Sequence, residues 1–247
     1  KTMKLKRKIK GALIYPVTVF TIAAGVTAVL LIFVIPVFAE LFGSFGQALP
    51  APTQFVINLS NFTIAYFPYI LAAIIAFAVF VRQAYKTDNG RLVLDGLLLQ
   101  VPIFGDLIRK SSVARFTRTL STLASSGVPI LDALLITAKT AGNMVVERAV
   151  LATRISISEG NSISEPLTKS KVFPSMVCHM IAVGESTGAL DAMLNKIADF
   201  YEDEVDEATA NLLALLEPLM ISFLGVVIGG IVISMYMPMF SLISKIG

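Results

Sequence analysis

The single histidine of the chain, His179, stands beside its single cysteine, Cys178. Imidazole and thiol are common zinc ligands, so metal chemistry would be sought here first. Met176, Val177, Met180, Ile181 and Val183 surround the pair at helical spacing. Adjacent residues on a helix point about 100° apart, so the two side chains do not readily chelate one ion. They are read as partly buried packing residues. A lone cysteine also excludes an intrachain disulfide. No phosphate-cradling glycine loop, zinc-ligand spacing or Gly-x-Ser-x-Gly nucleophile turn occurs elsewhere in the sequence. The expectation is a chain that is not an enzyme, with no catalytic residues, no cofactor and no metal. Any energy it uses must come from a partner or from the membrane.

Two groups of carboxylates remain. Glu202, Asp203, Glu204, Asp206 and Glu207 form an acidic run. Charge runs usually stay solvated, so a wet helix face is the plain reading and a docking surface the sharper one. Glu217, directly before Pro218, differs because it lies near the start of a long apolar run. A carboxyl there must sit at headgroup level, be neutral or be paired, which leaves two readings: a functional residue, or an interfacial one that shapes a proline bend. Gly225 and Gly229, followed by Gly230, allow a second helix to approach closely. Another part of this chain, a second copy or a substrate helix would each fit.

These residues must be positioned by helices, several of them in lipid. Of 247 residues, 55% are apolar and 15% charged, whereas soluble domains carry charge on roughly a quarter of their residues. Gly11 to Ala39 is free of charge over 29 residues, beyond the roughly 20 that cross the hydrocarbon as a helix. Phe62 to Val81 is a second uncharged run, and Leu212 to Phe240 a third whose only charge is Glu217. Spans are therefore expected at 13–38, 62–82 and 212–240. Gly43, Gly46, Pro50 and Pro52 predict a loop over 39–61, too rich in turn residues for a helix to pass through.

Charge orients the spans. Six basic residues occupy the first ten positions, and none lies between Glu40 and Asn61. By the positive-inside rule the segment 1–12 and the domain 83–211 are cytoplasmic, and the loop 39–61 and the tail 241–247, with Lys245, are external. Residues 82–207 carry thirteen basic and fifteen acidic groups. The net charge of +3 thus belongs to the membrane boundary, and nucleic acid is excluded as a partner. The chain does not begin with Met, and its basic start is not followed by a small-residue cleavage site, so it is read as the later part of a longer protein.

Residues 83–211 read as consecutive helices, with apolar positions recurring at three and four and no competing strand pattern. Pro102 and Gly105 mark a turn after the run Leu92–Leu99. A helix over 108–126 places Val113, Phe116, Leu120 and Leu123 on one face, with Arg109, Lys110, Arg115 and Arg118 mostly off it. Gly127 suits its C-terminal cap and Pro129 the first turn of the next helix. Helices are expected over 130–140 and 144–159. Ser162 to Glu165 forms a capping box, and Pro174 opens a helix through Ser186. Gly188 interrupts, and a long helix begins at Ala189. The fold class is all-α: three transmembrane helices plus a cytoplasmic antiparallel bundle of about six helices.

With the helices placed, specific blocks stand out: Val183-Gly184-Glu185-Ser186-Thr187-Gly188, Ala198-Asp199 with Tyr201-Glu202, Leu216-Glu217-Pro218 and the glycines after it. Upstream lie Phe116, Leu120, Leu123 and Ser126-Gly127-Val128-Pro129-Ile130, then Tyr15-Pro16, Ile35-Pro36 and Leu49-Pro50 in the apolar part. Over essentially the whole chain this resembles the C-terminal portion of the inner-membrane platform proteins of type IV pilus and type II secretion machines, the PilC/GspF family. Members of that family carry an earlier, similar cytoplasmic domain that is absent here.

The resemblance implies a bacterial inner-membrane protein that couples a cytoplasmic assembly ATPase to the lifting of pilin or pseudopilin into a filament. Other inner-membrane assembly proteins, further copies of the chain and membrane lipid are the implied partners. The candidate partner and structural motif is Gly127, Pro129, Gly184, Glu185, Gly188, Glu202, Glu204, Glu217, Pro218, Gly225 and Gly229. Gly184 and Gly188 would set a tight interhelical turn, Glu185 would cap or pair with backbone, and the long helix would carry displacement to the third span. The alternative is a membrane permease subunit driven by a separate ATPase.

Overall fold

A computed structural model describes the backbone of residues 2–43 and 49–246, and the side chains of residues 11, 14–43 and 49–240. The side chains of the basic residues 1–10, Gly46 and the tail 241–247 with Lys245 lie outside the described residues. In chain order the helices are α1 (Thr2–Val29), a π-helix (Leu30–Val34), α2 (Ile35–Gly43), α3 (Ala51–Ala84), α4 (Asp88–Leu98), α5 (Phe104–Ser125), α6 (Ile130–Thr140), α7 (Met144–Ser158), α8 (Ser164–Lys169), α9 (Ser175–Thr187) and α10 (Leu190–Ile246). No strand occurs among the described residues. The chain divides into two compact units, residues 1–9 with 81–212 and residues 10–80 with 213–247.

The second unit contains stretches of helix long and apolar enough to cross a membrane: Ile14–Gly43, Ala51–Ala84 and the part of Leu190–Phe240 that belongs to this unit. Its buried core is small, made by Leu31, Ile35, Val56 and Ile231. Most other apolar side chains here, Phe77, Phe80 and Val226 among them, point outward. Lipid is as apolar as leucine, so polar contacts must help to hold such helices together. The Thr53 hydroxyl donates to the Ser234 carbonyl at 2.6 Å, and the Ser60 hydroxyl donates to the Leu31 carbonyl.

That second bond follows from Pro36. At the π-helix the register slips by one residue, and the Ile35 N–H donates to the Leu30 carbonyl. The next donor in this register would be residue 36, where proline has no N–H. The Leu31 carbonyl is left without its helical partner, and Ser60 of α3 supplies one.

The loop expected over 39–61 is much shorter, since helix runs to Gly43 and resumes at Ala51. Pro50 and Pro52 stand at the start of α3 and do not break it, because there proline removes only donors that have no partner anyway. α3 is consequently 34 residues long. The basic segment ahead of the first span is itself helical, from Thr2, and continues into the span without a break.

In the first unit α5, α6 and α7 pack in succession, α8 and α9 follow, and α4 lies against α7. Phe116, Leu120, Leu134, Val150, Leu167, Val177, Ile181, Leu194 and Ile197 are fully buried, and the Phe116 and Phe173 rings stand 4.9 Å apart. α5 ends in a Schellman motif. Gly127 has φ of 76°, which suits glycine, while the Val128 N–H reaches the Leu123 carbonyl at 3.1 Å and the Gly127 N–H reaches Ala124 at 3.0 Å. Pro129 immediately precedes α6, as its fixed φ allows.

Two expectations need correction. Cys178 is buried in the core, but its neighbour His179 is exposed, because one residue of helix turns the side chain away from the apolar face. The capping box is only half formed. The Glu165 N–H donates to the Ser162 hydroxyl at 3.3 Å, but the Glu165 carboxylate accepts from Lys169 at 2.7 Å instead of reaching back.

Candidate functional site

Gly184, Glu185 and Gly188 lie at the α9–α10 junction and Glu202 and Glu204 further along α10, whereas Gly127 and Pro129 form the turn between α5 and α6. Gly184 is buried where α9 meets α10, and a Cβ there would stand 3.0 Å from Leu190 Cα and 3.1 Å from Met193 Cβ and Cγ. A methyl group there would be tighter than ordinary van der Waals contact, so Leu190 and Met193 would have to give by a few tenths of an ångström. Beside it, both Glu185 oxygens accept the Ile163 N–H, at 2.9 and 3.1 Å. The carboxylate thereby satisfies the backbone N–H of Ile163, the residue that precedes α8 and whose own side chain cannot cap it. Gly188, with φ of 72°, closes α9 before α10 begins.

One turn further along α10 the ion pairs begin. Arg118 of α5 donates through Nε to Glu202 Oε1 at 2.7 Å, through Nη1 to Asn195 Oδ1 at 3.1 Å, and through Nη2 to Asp199. Its pKa is raised, chiefly by the bond to Glu202, against the opposing effect of burial. Lys110 of α5 joins Asp106 at 3.0 Å and Glu204 at 2.8 Å, and these two bonds hold its pKa above the usual lysine value. Residues 195, 199 and 202 share one stripe of α10, so a single guanidinium spans two turns. Glu202 and Glu204, two of the five carboxylates of the acidic run, are thus engaged within the bundle, while Asp203 and Glu207 are exposed.

A third cluster was not foreseen from the sequence. Asp95 of α4 is buried and accepts from the Tyr85 hydroxyl at 2.7 Å and from the Met144 N–H at 2.6 Å. The Asn143 amide donates to the Asp95 carbonyl at 3.3 Å while its oxygen caps α7. Burial and then Asp95 raise the Tyr85 pKa. The arrangement ties the residue directly after α3 to α4 and to the start of α7.

In the second unit Glu217 is exposed within an unbroken helix, among outward-facing Leu215, Leu219 and Ile221. Pro218 lies inside the same helix. Nothing stands within 4 Å of where a Cβ would be on Gly225 or Gly229. The glycine face is therefore open. Among the described residues, no three His, Cys, Asp or Glu side chains gather in a way that could hold a metal ion.

The described geometry consists of close backbone packing and ion pairs that fasten one long helix to a bundle, which is suited to holding and positioning. The family model for the type II secretion system protein F matches residues 116–238. Over 100% of the chain the sequence is 53% identical to the type IV pilus assembly protein PilC of Myxococcus xanthus and 48% identical to that of Thermus thermophilus. It is 36% identical, over 95% of the chain, to the type II secretion system protein F of Vibrio cholerae. This chain belongs to the PilC and secretion protein F family. It spans 59%, 61% and 58% of the length of these three relatives, so it corresponds to a part of them. All the motif residues from Gly127 to Gly229 lie inside the match to type II secretion system protein F, and so does Arg118.

Arg118 was missed as a site residue because an arginine off the apolar face of one helix gives no sign of its partner. The available signal was Asn195, Asp199 and Glu202, a polar stripe at helical spacing that needed a cation opposite it.

Proposed function

We propose that this chain is the membrane-anchored platform of a type IV pilus assembly or type II secretion machine, set in the bacterial inner membrane with residues 1–12 and 83–211 in the cytoplasm. The observation that carries this reading is the likeness to proteins named for pilus assembly and type II secretion over nearly the whole chain. The higher identity to the pilus proteins favours pilus assembly. In this role a cytoplasmic ATPase engages the bundle, and α10 relays the displacement to the third span, beside which pilin is lifted into the filament. Close packing at Gly184 and the Arg118 clamp support the relay, since they leave α10 little freedom to slide on the bundle. Asp203 and Glu207 offer exposed charge to the ATPase, whereas Glu202 and Glu204 act structurally.

Glu217 with Pro218, Gly225 and Gly229 forms the lipid-facing part of the site, where a pilin helix or a second copy is received. Replacing Glu217 by Ala in the full-length protein is expected to reduce surface pili while leaving membrane insertion unchanged. Normal piliation in that variant removes the assignment. Photo-crosslinkers at Asp203 and Glu207 in native membranes are expected to capture the assembly ATPase. Adducts devoid of ATPase from both positions overturn the coupling.

A further inference from the structure

One surface of the first unit has no part in the site described above. α4 packs on α7 through Asp95 and Gly96, whose ideal Cβ would stand 3.9 Å from Val145. That attachment turns Val93 and Leu97 outward, at 60% and 55% exposure. The row continues past the helix with Val101, Ile103 and Phe104, all exposed, Ile103 at 58%. Single exposed apolar residues are ordinary, but a contiguous row on one side of a helix marks an interaction surface.

The turn that carries the end of this row is strained. Ile103 has φ of 68° and ψ of −56°, and the Phe104 N–H donates to the Pro102 carbonyl at 2.8 Å. This is a classic γ-turn, a rare conformation and an unfavourable one for a β-branched residue. Strain of this kind persists where the surroundings hold it, and here it projects two large apolar side chains outward instead of burying them.

Connectivity identifies what covers the row. α3, long and apolar enough to cross a membrane, ends at Ala84, and α4 begins at Asp88. Four backbone steps reach no further than about 14 Å, and α4 itself is only about 16 Å long. α4 therefore begins within reach of the headgroup region where α3 leaves the bilayer, and Val93 follows within about one and a half turns of that start. Arg82, Lys86 and Arg109 are exposed close to it in sequence, as anionic headgroups would require.

We infer that the α4 face Val93 and Leu97, together with the Val101–Phe104 turn, is seated in the interfacial layer of the bilayer, at the leaflet where α3 ends. The inference rests on the reading of α3 as a membrane span. The surface works as an interfacial amphipathic helix does, with its apolar side about 5–10 Å below the headgroup boundary and cations above it. It would hold the bundle against the membrane independently of the spans.

The chain has no tryptophan, so single tryptophans report without background. The full chain carrying L97W, F104W, F77W or I155W is reconstituted in phosphatidylethanolamine and phosphatidylglycerol vesicles with lipids brominated either near the headgroup or near the chain ends. Shallow bromines are expected to quench L97W and F104W about two-fold and deep bromines less, as interfacial depth requires. F77W, within α3, is expected to be quenched as well, and I155W, exposed on α7, to stay bright. Quenching of F77W without quenching of L97W and F104W overturns the inference and leaves the membrane reading intact. An unquenched F77W overturns both. Concentration-dependent shielding of L97W and F104W that bromine does not affect assigns the face to a second copy and also overturns the inference.

Discussion

Gly184 has the least room of the singled-out positions, and it decides how closely α9 and α10 meet. A methyl group there presses on the Leu190 backbone, which cannot rotate away. Gly184→Ala is expected to destabilise the bundle by about 1–3 kcal/mol, and Gly184→Val by more, in thermal unfolding of the detergent-solubilised protein. Lys110 supports a pH prediction. Its bonds to Glu204 and Asp106 raise its pKa, so protonation favours the folded state. That contribution is complete below the unfolded lysine value near 10.5 and is lost as pH rises through the higher folded value. The raised pKa of Tyr85 adds a loss in the same direction, beginning near 10. The melting temperature is expected to fall across this alkaline range. The fall should flatten in a Lys110→Arg and Tyr85→Phe double variant, where neither group titrates there. At this scale the sequence was legible wherever one residue type implies one backbone state: Gly127 and Gly188 both adopt positive φ at helix ends. It was illegible where a residue acts through a distant partner. Arg118 meets residues 77, 81 and 84 positions away, and no local pattern encodes that pairing.

Helix boundaries in the bundle were readable because caps and turns are local. The expected helix over 130–140 is α6, bounded by the same residues. In the apolar unit the same punctuation misled, since Pro50 and Pro52 start α3 and do not interrupt it. The π-helix at Leu30–Val34 was also hidden, although Pro36 was in view, because the register slip depends on which helix can satisfy the orphaned carbonyl. This gives a coupled prediction. Ser60→Ala leaves the Leu31 carbonyl unpaired in a region without water and is expected to cost about 1–2 kcal/mol. Pro36→Ala restores an N–H that can bond within the helix, so Ser60→Ala should cost less in that background. A double-mutant cycle of unfolding in mixed micelles measures the coupling, and strictly additive effects would show that Ser60 does not serve the proline.

At the scale of the whole molecule, the charge pattern carries more than any contact does. A bundle with thirteen basic and fifteen acidic groups over residues 82–207 has no basic excess of its own, yet the segment ahead of the first apolar run holds six basic residues within ten. Basic residues are retained on the cytoplasmic side during insertion, and acidic residues influence orientation little, so the pattern supports the proposed orientation even though the bundle is nearly neutral. In the proposed topology the connection between α2 and α3, without Lys or Arg, lies on the opposite face. Cysteine chemistry can read this directly. Cys178 is buried in the core and so shielded from a bulky maleimide, while Gln54 and Glu159 are both exposed. A membrane-impermeant maleimide is expected to label Gln54→Cys in cells with a permeabilised outer membrane and an intact inner one. Glu159→Cys should label only once the inner membrane is opened. Labelling of both under the first condition would put the bundle outside, where no cytoplasmic ATPase could reach it, and the force relay proposed for α10 would lose its source.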